Sequence, residues 1–178
     1  RYGDGNLYKF SSDGELKDTY ETLTHGGMPG FLGVTASSMG PDQSKIVYIS
    51  ELGNRIFQYD VIKNEQADDL ITYAPESGDL VIAITHSTNG DFYSIKANFR
   101  AGFSLCKHDS SSGNILEQFE LPGPGWASLC IAMDGESAYI GNFFNGTMGR
   151  FNLTNGEMIA SAETNVERSL AGIAQFIG

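Results

Sequence analysis

Positive charge is scarce in this sequence: 11 Lys and Arg face 22 Asp and Glu, a net charge of −11 over 178 residues. The basic residues are scattered singly, with no stripe to attract phosphate, which argues against a nucleic-acid partner. Cysteine is nearly absent, at 2 residues, so a disulfide framework is excluded. Cys106 and Cys130 read as strand thiols on non-neighbouring strands, too far apart to bridge. No apolar run approaches the ~20 residues of a membrane-spanning helix, so no membrane span is expected. No segment sustains a 3.6-residue hydrophobic period between helix caps. A signal peptide is not visible either, and the sequence opens at Arg1 without an initiator Met, as a processed protein or an excerpt of a longer one would.

Glycine, by contrast, is plentiful at 22 residues, and the hydrophobic fraction of 40% is enough to build the core of one domain. Self-similarity organises both. Four segments are alike: Leu7-Tyr8-Lys9-Phe10, Ile56-Phe57-Gln58-Tyr59, Leu105-Cys106-Lys107-His108 and Met148-Gly149-Arg150-Phe151. Each runs into a polar turn, at Asp13-Gly14, Asn64-Glu65, Gly113-Asn114 and Asn155-Gly156, and then a second apolar run. Such dipeptides supply the positive φ angles of tight hairpins. Upstream, Lys45–Ser50 is echoed by Asp91–Ile95 and Ser137–Gly141, with Tyr48, Tyr93 and Tyr139 in apparent register. Before each lies a strand of small and apolar residues, Leu32–Ala36, Leu80–Ile84 and Ser128–Ala132, with a fourth copy at Leu170–Ala174.

The repeating unit is therefore four strands, A to D, every ~45 residues, the signature of a β-propeller of four-stranded antiparallel blades. The boundaries read as strands C and D of a partial blade over 1–22, blades over 23–74, 75–122 and 123–166, and strand A of another partial blade over 167–178. Two arrangements remain open: an excerpt of a larger propeller, or a four-bladed ring closed by the termini. The missing strand B favours the excerpt. Bare blade faces are costly, so further blades, other copies or a partner are expected to cover them.

The stretch Gly53-Asn54-Arg55-Ile56-Phe57-Gln58-Tyr59-Asp60, and Ile131–Gly135 followed by Ala138-Tyr139-Ile140, resemble the NHL-repeat and YVTN-type β-propeller superfamily. No strand ends in Trp-Asp, unlike WD repeats, and the single Trp126 cannot supply the repeated tryptophan docking motifs of quinoprotein propellers. The resemblance implies binding or scaffolding more often than catalysis.

Catalytic groups are few. His25, His86 and His108 lack metal-ligand spacing, and His108 stands where the other repeats carry an aromatic. Gly3-Asp4-Gly5-Asn6 lacks the carboxylate pattern of a calcium loop and reads as a turn. Hydrolases and lactonases of the gluconolactonase type, the alternative reading, hold a divalent metal in the central channel. Here Val34, Ile82, Leu129 and Ile173 sit where such ligands would begin. No catalytic residue, metal site or cofactor is assigned, and a non-catalytic role is favoured over an enzymatic one.

In a propeller the B–C and D–A loops share one end. Those loops carry Phe99, Arg100, Phe143, Phe144 and Trp126, residue types enriched at interaction hot spots. Exposure is expected for Phe99 and Arg100, whereas Trp126, at the start of a strand A, is expected to fold back. Two glycosylation sequons, Asn145-Gly146-Thr147 and Asn152-Leu153-Thr154, point to a secreted glycoprotein, with Asn145 the better acceptor. The sequence thus reads as a non-catalytic binding or structural module in an extracellular setting. Its expected partners are other protein chains or further blades of its own chain.

Overall fold

The structure, a computed structural model, describes residues 5–23, 33–50 and 52–174. It begins with a hairpin of β1 (Leu7–Phe10) and β2 (Leu16–Tyr20). The first blade comprises β3 (Val34–Met39), β4 (Lys45–Ser50) and β5 (Arg55–Asp60), with an outer strand split into β6 (Glu65–Gln66) and β7 (Ile71–Thr72), both paired with β5. The second blade is β8 (Leu80–His86), β9 (Phe92–Asn98), β10 (Gly102–His108) and β11 (Ile115–Leu121). The third is β12 (Trp126–Ile131), β13 (Ser137–Asn142), β14 (Thr147–Asn152) and β15 (Met158–Glu163). Every sheet is antiparallel and runs in chain order, and the only helical element among the described residues is a 3₁₀ turn at Pro75–Ser77. The fold is an all-β, blade-built propeller. His25, Leu32, Gly3 and Asp4 lie outside the described residues.

The inner strands lie side by side, β8 between β3 and β12. Ser38 and His86 join the first two: Ser38 Oγ accepts the His86 backbone N–H at 2.9 Å and its hydroxyl donates to Nδ1 at 2.9 Å. At the rim, the strand C–D turns of the second and third blades abut the outer strand of the blade before each. Gly113 (φ +73°) leaves no room for a Cβ against the Leu70 carbonyl and Ile71, nor Gly156 (φ +74°) against the Phe119 ring. Glycine there serves both the left-handed turn and the close approach.

Each blade has a forward face, toward the next blade, and a back face. Between blades one and two the core joins Val47, Ile49 and Ile56 to Val81, Ile84 and Phe92. Between two and three it joins Tyr93, Ile95, Phe103 and Leu105 to Trp126, Ile140 and Phe151. The register corrects the tyrosine alignment. Tyr48 packs backward with Tyr20, Phe57 and Tyr59. Val47, which pairs with Gln58, is the structural counterpart of Tyr93 opposite Lys107 and Tyr139 opposite Arg150. A one-residue slip reverses a side chain's face, so the recurring letter misled.

A second correction concerns 170–174. No strand forms there, and among the described residues no strand B lies beside it. The segment nonetheless rests on the third blade: Ser128 Oγ donates to the Leu170 carbonyl at 3.1 Å, and a Cβ at Gly141 would meet Leu170 Cβ at 2.9 Å and Ile173 Cδ1 at 3.0 Å.

Candidate functional site

Each inner strand contains one residue more than its partner can pair. Between Val34 and Ala36 the ladder skips Thr35, between Val81 and Ala83 it skips Ile82, and between Trp126 and Ser128 it skips Ala127. These are β-bulges at the same point of three successive blades, and a bulge re-aims the side chain it carries. All three bulged residues line one cleft of about 360 Å³. Ala171, from the unpaired segment, also lines the cleft.

The walls come from the loops. Leu52 lies in the first B–C loop, Phe99 in the second, and Phe143 and Phe144 in the third, while Gly125 ends the D–A connection before Trp126. Phe103 completes the lining, and among the described residues no ionisable side chain contributes to it. Two asparagines hold the aromatic loops. Asn98 Oδ1 accepts the N–H groups of Arg100 (3.0 Å) and Ala101 (3.1 Å), and its amide donates to Ser77 O and Asp79 Oδ1, both at 2.9 Å. Asn142 repeats the device: Oδ1 accepts from Phe144 (3.0 Å) and Asn145 (3.3 Å), and the amide donates to Pro124 O at 2.9 Å. In both cases a B–C loop is tied to the neighbouring D–A connection. Both asparagines precede a phenylalanine, at 98–99 and 142–143.

Of the expected loop residues, Phe99, Trp126, Phe143 and Phe144 meet in the cleft, but Arg100 does not line it. Phe99 and Phe144 are exposed; Phe99 stands edge-on to Phe103 at 5.6 Å. Trp126 is 2% exposed, edge-on to Phe151 at 5.3 Å, with Nε1–H donating to Pro122 O at 3.1 Å. It is a core residue that also forms the cleft floor. Of the four residues placed at the channel by sequence, Ile82 lines the cleft, whereas Leu129 belongs to the core between blades two and three. Val34 packs at the junction with the β1–β2 hairpin, and Ile173 rests against Gly141 of the third blade. The bulges displace the frame by a residue.

The titratable groups elsewhere are structural. His108 is buried, with Nδ1–H donating to Gly113 O at 3.0 Å and Nε2 accepting from Ser94 Oγ at 2.8 Å. Burial holds both His108 and His86 below the ordinary imidazole value. Cys106 and Cys130 are both free, on β10 and β12, and burial pushes the Cys106 thiol up to about 12, which leaves it protonated and unreactive. Among the described residues no three His, Cys, Asp or Glu side chains gather as a metal site would require. Asn54 and Arg55, from the stretch that resembles NHL repeats, brace the first blade. Asn54 Nδ2 donates to Tyr73 O at 2.5 Å, and Arg55 Nε donates to Asp69 at 2.6 Å. In the sequons, Asn145 is exposed and accepts the Thr147 N–H at 2.9 Å; Asn152, at the end of β14, is half-buried and accepts the Thr154 N–H at 2.7 Å.

No protein-family model matches the sequence, and no curated protein matches it. Solved structures do, with 792 similar chains. One is hydrazine synthase from Kuenenia stuttgartiensis, at a TM-score of 0.61 and 16% identity, over 86% of this chain and 41% of that one. The chain therefore spans less than half the length of that relative, and at such identity the likeness is one of fold: a β-propeller.

Proposed function

We propose that this propeller region is a non-catalytic binding module whose site is the bulge-lined cleft. The observation that carries the reading is the alignment of Thr35, Ile82 and Ala127, one bulge per blade, beneath Phe99, Phe143 and Phe144. A bulge interrupts a ladder at a cost in hydrogen bonding, and repeating it at one level is the mark of a shaped surface. A mostly apolar concavity of this size suits a ligand group without charge, such as an aromatic ring or an apolar side chain of a protein partner.

The resemblance of Gly53–Asp60 to NHL repeats supports the same class. The exposed Asn145 sequon supports a secretory route, and peptide mass spectrometry of native-source material reads its occupancy directly. The binding test uses the neutral fluorophore N-phenyl-1-naphthylamine. Trp126, the single tryptophan, forms the cleft floor and serves as energy donor. Saturable energy transfer is expected in the wild type, weakened about tenfold by Phe144→Ser and unaffected by substitution of the distant, exposed Ile62. Equal transfer in the wild type and Phe144→Ser would overturn the cleft as the site.

A further inference from the structure

Strand C alternates two rows of side chains. The backward row, Tyr59, His108 and Phe151, is buried, while its counterpart in the hairpin, Phe10, is 59% exposed. The forward row, one residue earlier, reads Gln58, Lys107 and Arg150. In blades two and three that position is a cation, and each cation is neutralised within its own blade. Lys107 pairs with Asp91 at 2.9 Å and lies 5.9 Å from the Tyr93 ring. Arg150 pairs with Asp134, in the strand A–B turn, and lies 5.6 Å from the Tyr139 ring.

The first blade keeps the acid and lacks the rest. Asp42 stands three residues before Lys45 as Asp134 stands before Ser137, and Lys45 and Ser137 hold the same ladder position. Val47 replaces the tyrosine, and Gln58 replaces the cation. Between them and the second blade opens a cleft of about 440 Å³, lined also by Asp42, Ser44, His86 and Ser111. It lies among the A–B and C–D turns, at the opposite end of the blades from the bulge-lined cleft, and both blades around it are complete.

Two features point to an occupant. Gln58 is 7% exposed and lines the cleft. Its backbone carbonyl accepts from Gln66 and Ala67, but among the described residues no group hydrogen-bonds its side-chain amide. A buried amide without a partner is costly, and a bound donor or acceptor relieves that cost. The second feature is an anion without its cation. The Ser44 hydroxyl and N–H donate to Asp42 at 2.7 Å and 3.2 Å and hold its carboxyl below the usual range. Among the described residues no cation forms an ion pair with it. Lys45 is exposed, stands opposite Asp60 in the ladder, and exerts the smallest of the effects on that carboxyl.

We propose that this cleft binds an organic monocation, an ammonium or guanidinium group on a short aliphatic stem. The cation gives Asp42 what Lys107 and Arg150 give Asp91 and Asp134 in the later blades. Its N–H groups also donate to Gln58 Oε1, and its stem lies along Val47, in the space that the tyrosine rings fill elsewhere.

Nuclear magnetic resonance titration of the 178-residue chain provides the test. The probes are n-butylammonium for a free amine, N-acetyl-lysine N-methylamide for a lysine side chain of a peptide, and 1-butanol as the uncharged control. Saturable shifts of the Gln58 side-chain amide and of the Ser44 and Ser111 backbone amides are expected with the two cations and not with 1-butanol. The tighter of the two cations identifies the source. Asp42→Asn, at an exposed position where Oδ1 can still accept from Ser44, is expected to raise the dissociation constant about tenfold. Glu76→Gln removes the same charge at the other end of the blades and is expected to leave binding unchanged. Gln58→Lys rebuilds the pair of the later blades and is expected to abolish binding in a folded protein. Equal responses to n-butylammonium and 1-butanol would overturn the proposal. So would Asp42→Asn binding as the wild type does, or a folded Gln58→Lys that still binds, since the attraction would then belong to the acidic surface as a whole.

Discussion

Single side chains carry their meaning here through the face they occupy. His108 sits at an aromatic position because a neutral imidazole packs flat while serving one donor and one acceptor, Ser94 and Gly113. His86 is half-buried beside Ser38, and its burial disfavours the cation. Both histidines lie below their ordinary value of 6.5 because burial penalises the cation. The unfolded chain therefore takes up protons first as the pH falls through 6.5. Stability is fully present above that value and declines below it, levelling off once the folded-state histidines also titrate. Urea midpoints are expected to drop between about pH 7.5 and about pH 5.5, and the C2–H resonances of both rings to titrate below 6.5. A midpoint that rises over this interval would contradict the assignment. The burial of His108 was legible from the aromatics at equivalent positions. The role of Asn98 and Asn142 was not, since an asparagine that ends a strand looks like any turn residue until its amide finds a second loop.

Strands and turns were legible where alternation and Asn-Gly or Asp-Gly signals coincide, as in blades two and three. Three things escaped. The outer strand of the first blade breaks into β6 and β7, with Asp68 and Asp69 between them. The 170–174 segment has strand-like composition, but strand pairing needs a neighbour that no composition supplies. The bulges escaped because an unpaired residue breaks no local rule; it is visible only as a count against the partner strand. The repeat also separates position from environment, as Phe151 and Phe10 demonstrate. Phe151→Ala removes a ring from a closed junction and is expected to cost about 3–5 kcal/mol. Phe10→Ala, at the same repeat position, is expected to cost less than about 1 kcal/mol in dilute solution. Chemical denaturation of both variants checks the contrast, and equal losses would show the hairpin face to be covered.

At the scale of the whole molecule the blades act as a stack in which each layer stabilises only its neighbours. Three cores, one per junction, replace a single centre. Elements of that kind open one junction at a time, so a bound group that touches several layers stabilises more than its own contact. The cleft is lined from the first, second and third blades together. Saturating N-phenyl-1-naphthylamine is expected to raise the melting temperature in the manner of any ligand that binds only the folded state, and to sharpen the transition. A probe that binds without either effect would place its contacts within one blade.

The row of bulges at Thr35, Ile82 and Ala127 has a consequence for motion. The three residues sit on separate sheets, the first two tied beside the bulge by the backbone hydrogen bond from Val81 N–H to Gly53 O at 2.9 Å, so the width of the cleft follows the angles between blades. A small fan-like opening of the stack spreads the bulges apart, and a closing one brings them together. The cleft is in effect a gauge of blade pitch, and whatever fills it fixes that pitch like a wedge driven into a fan.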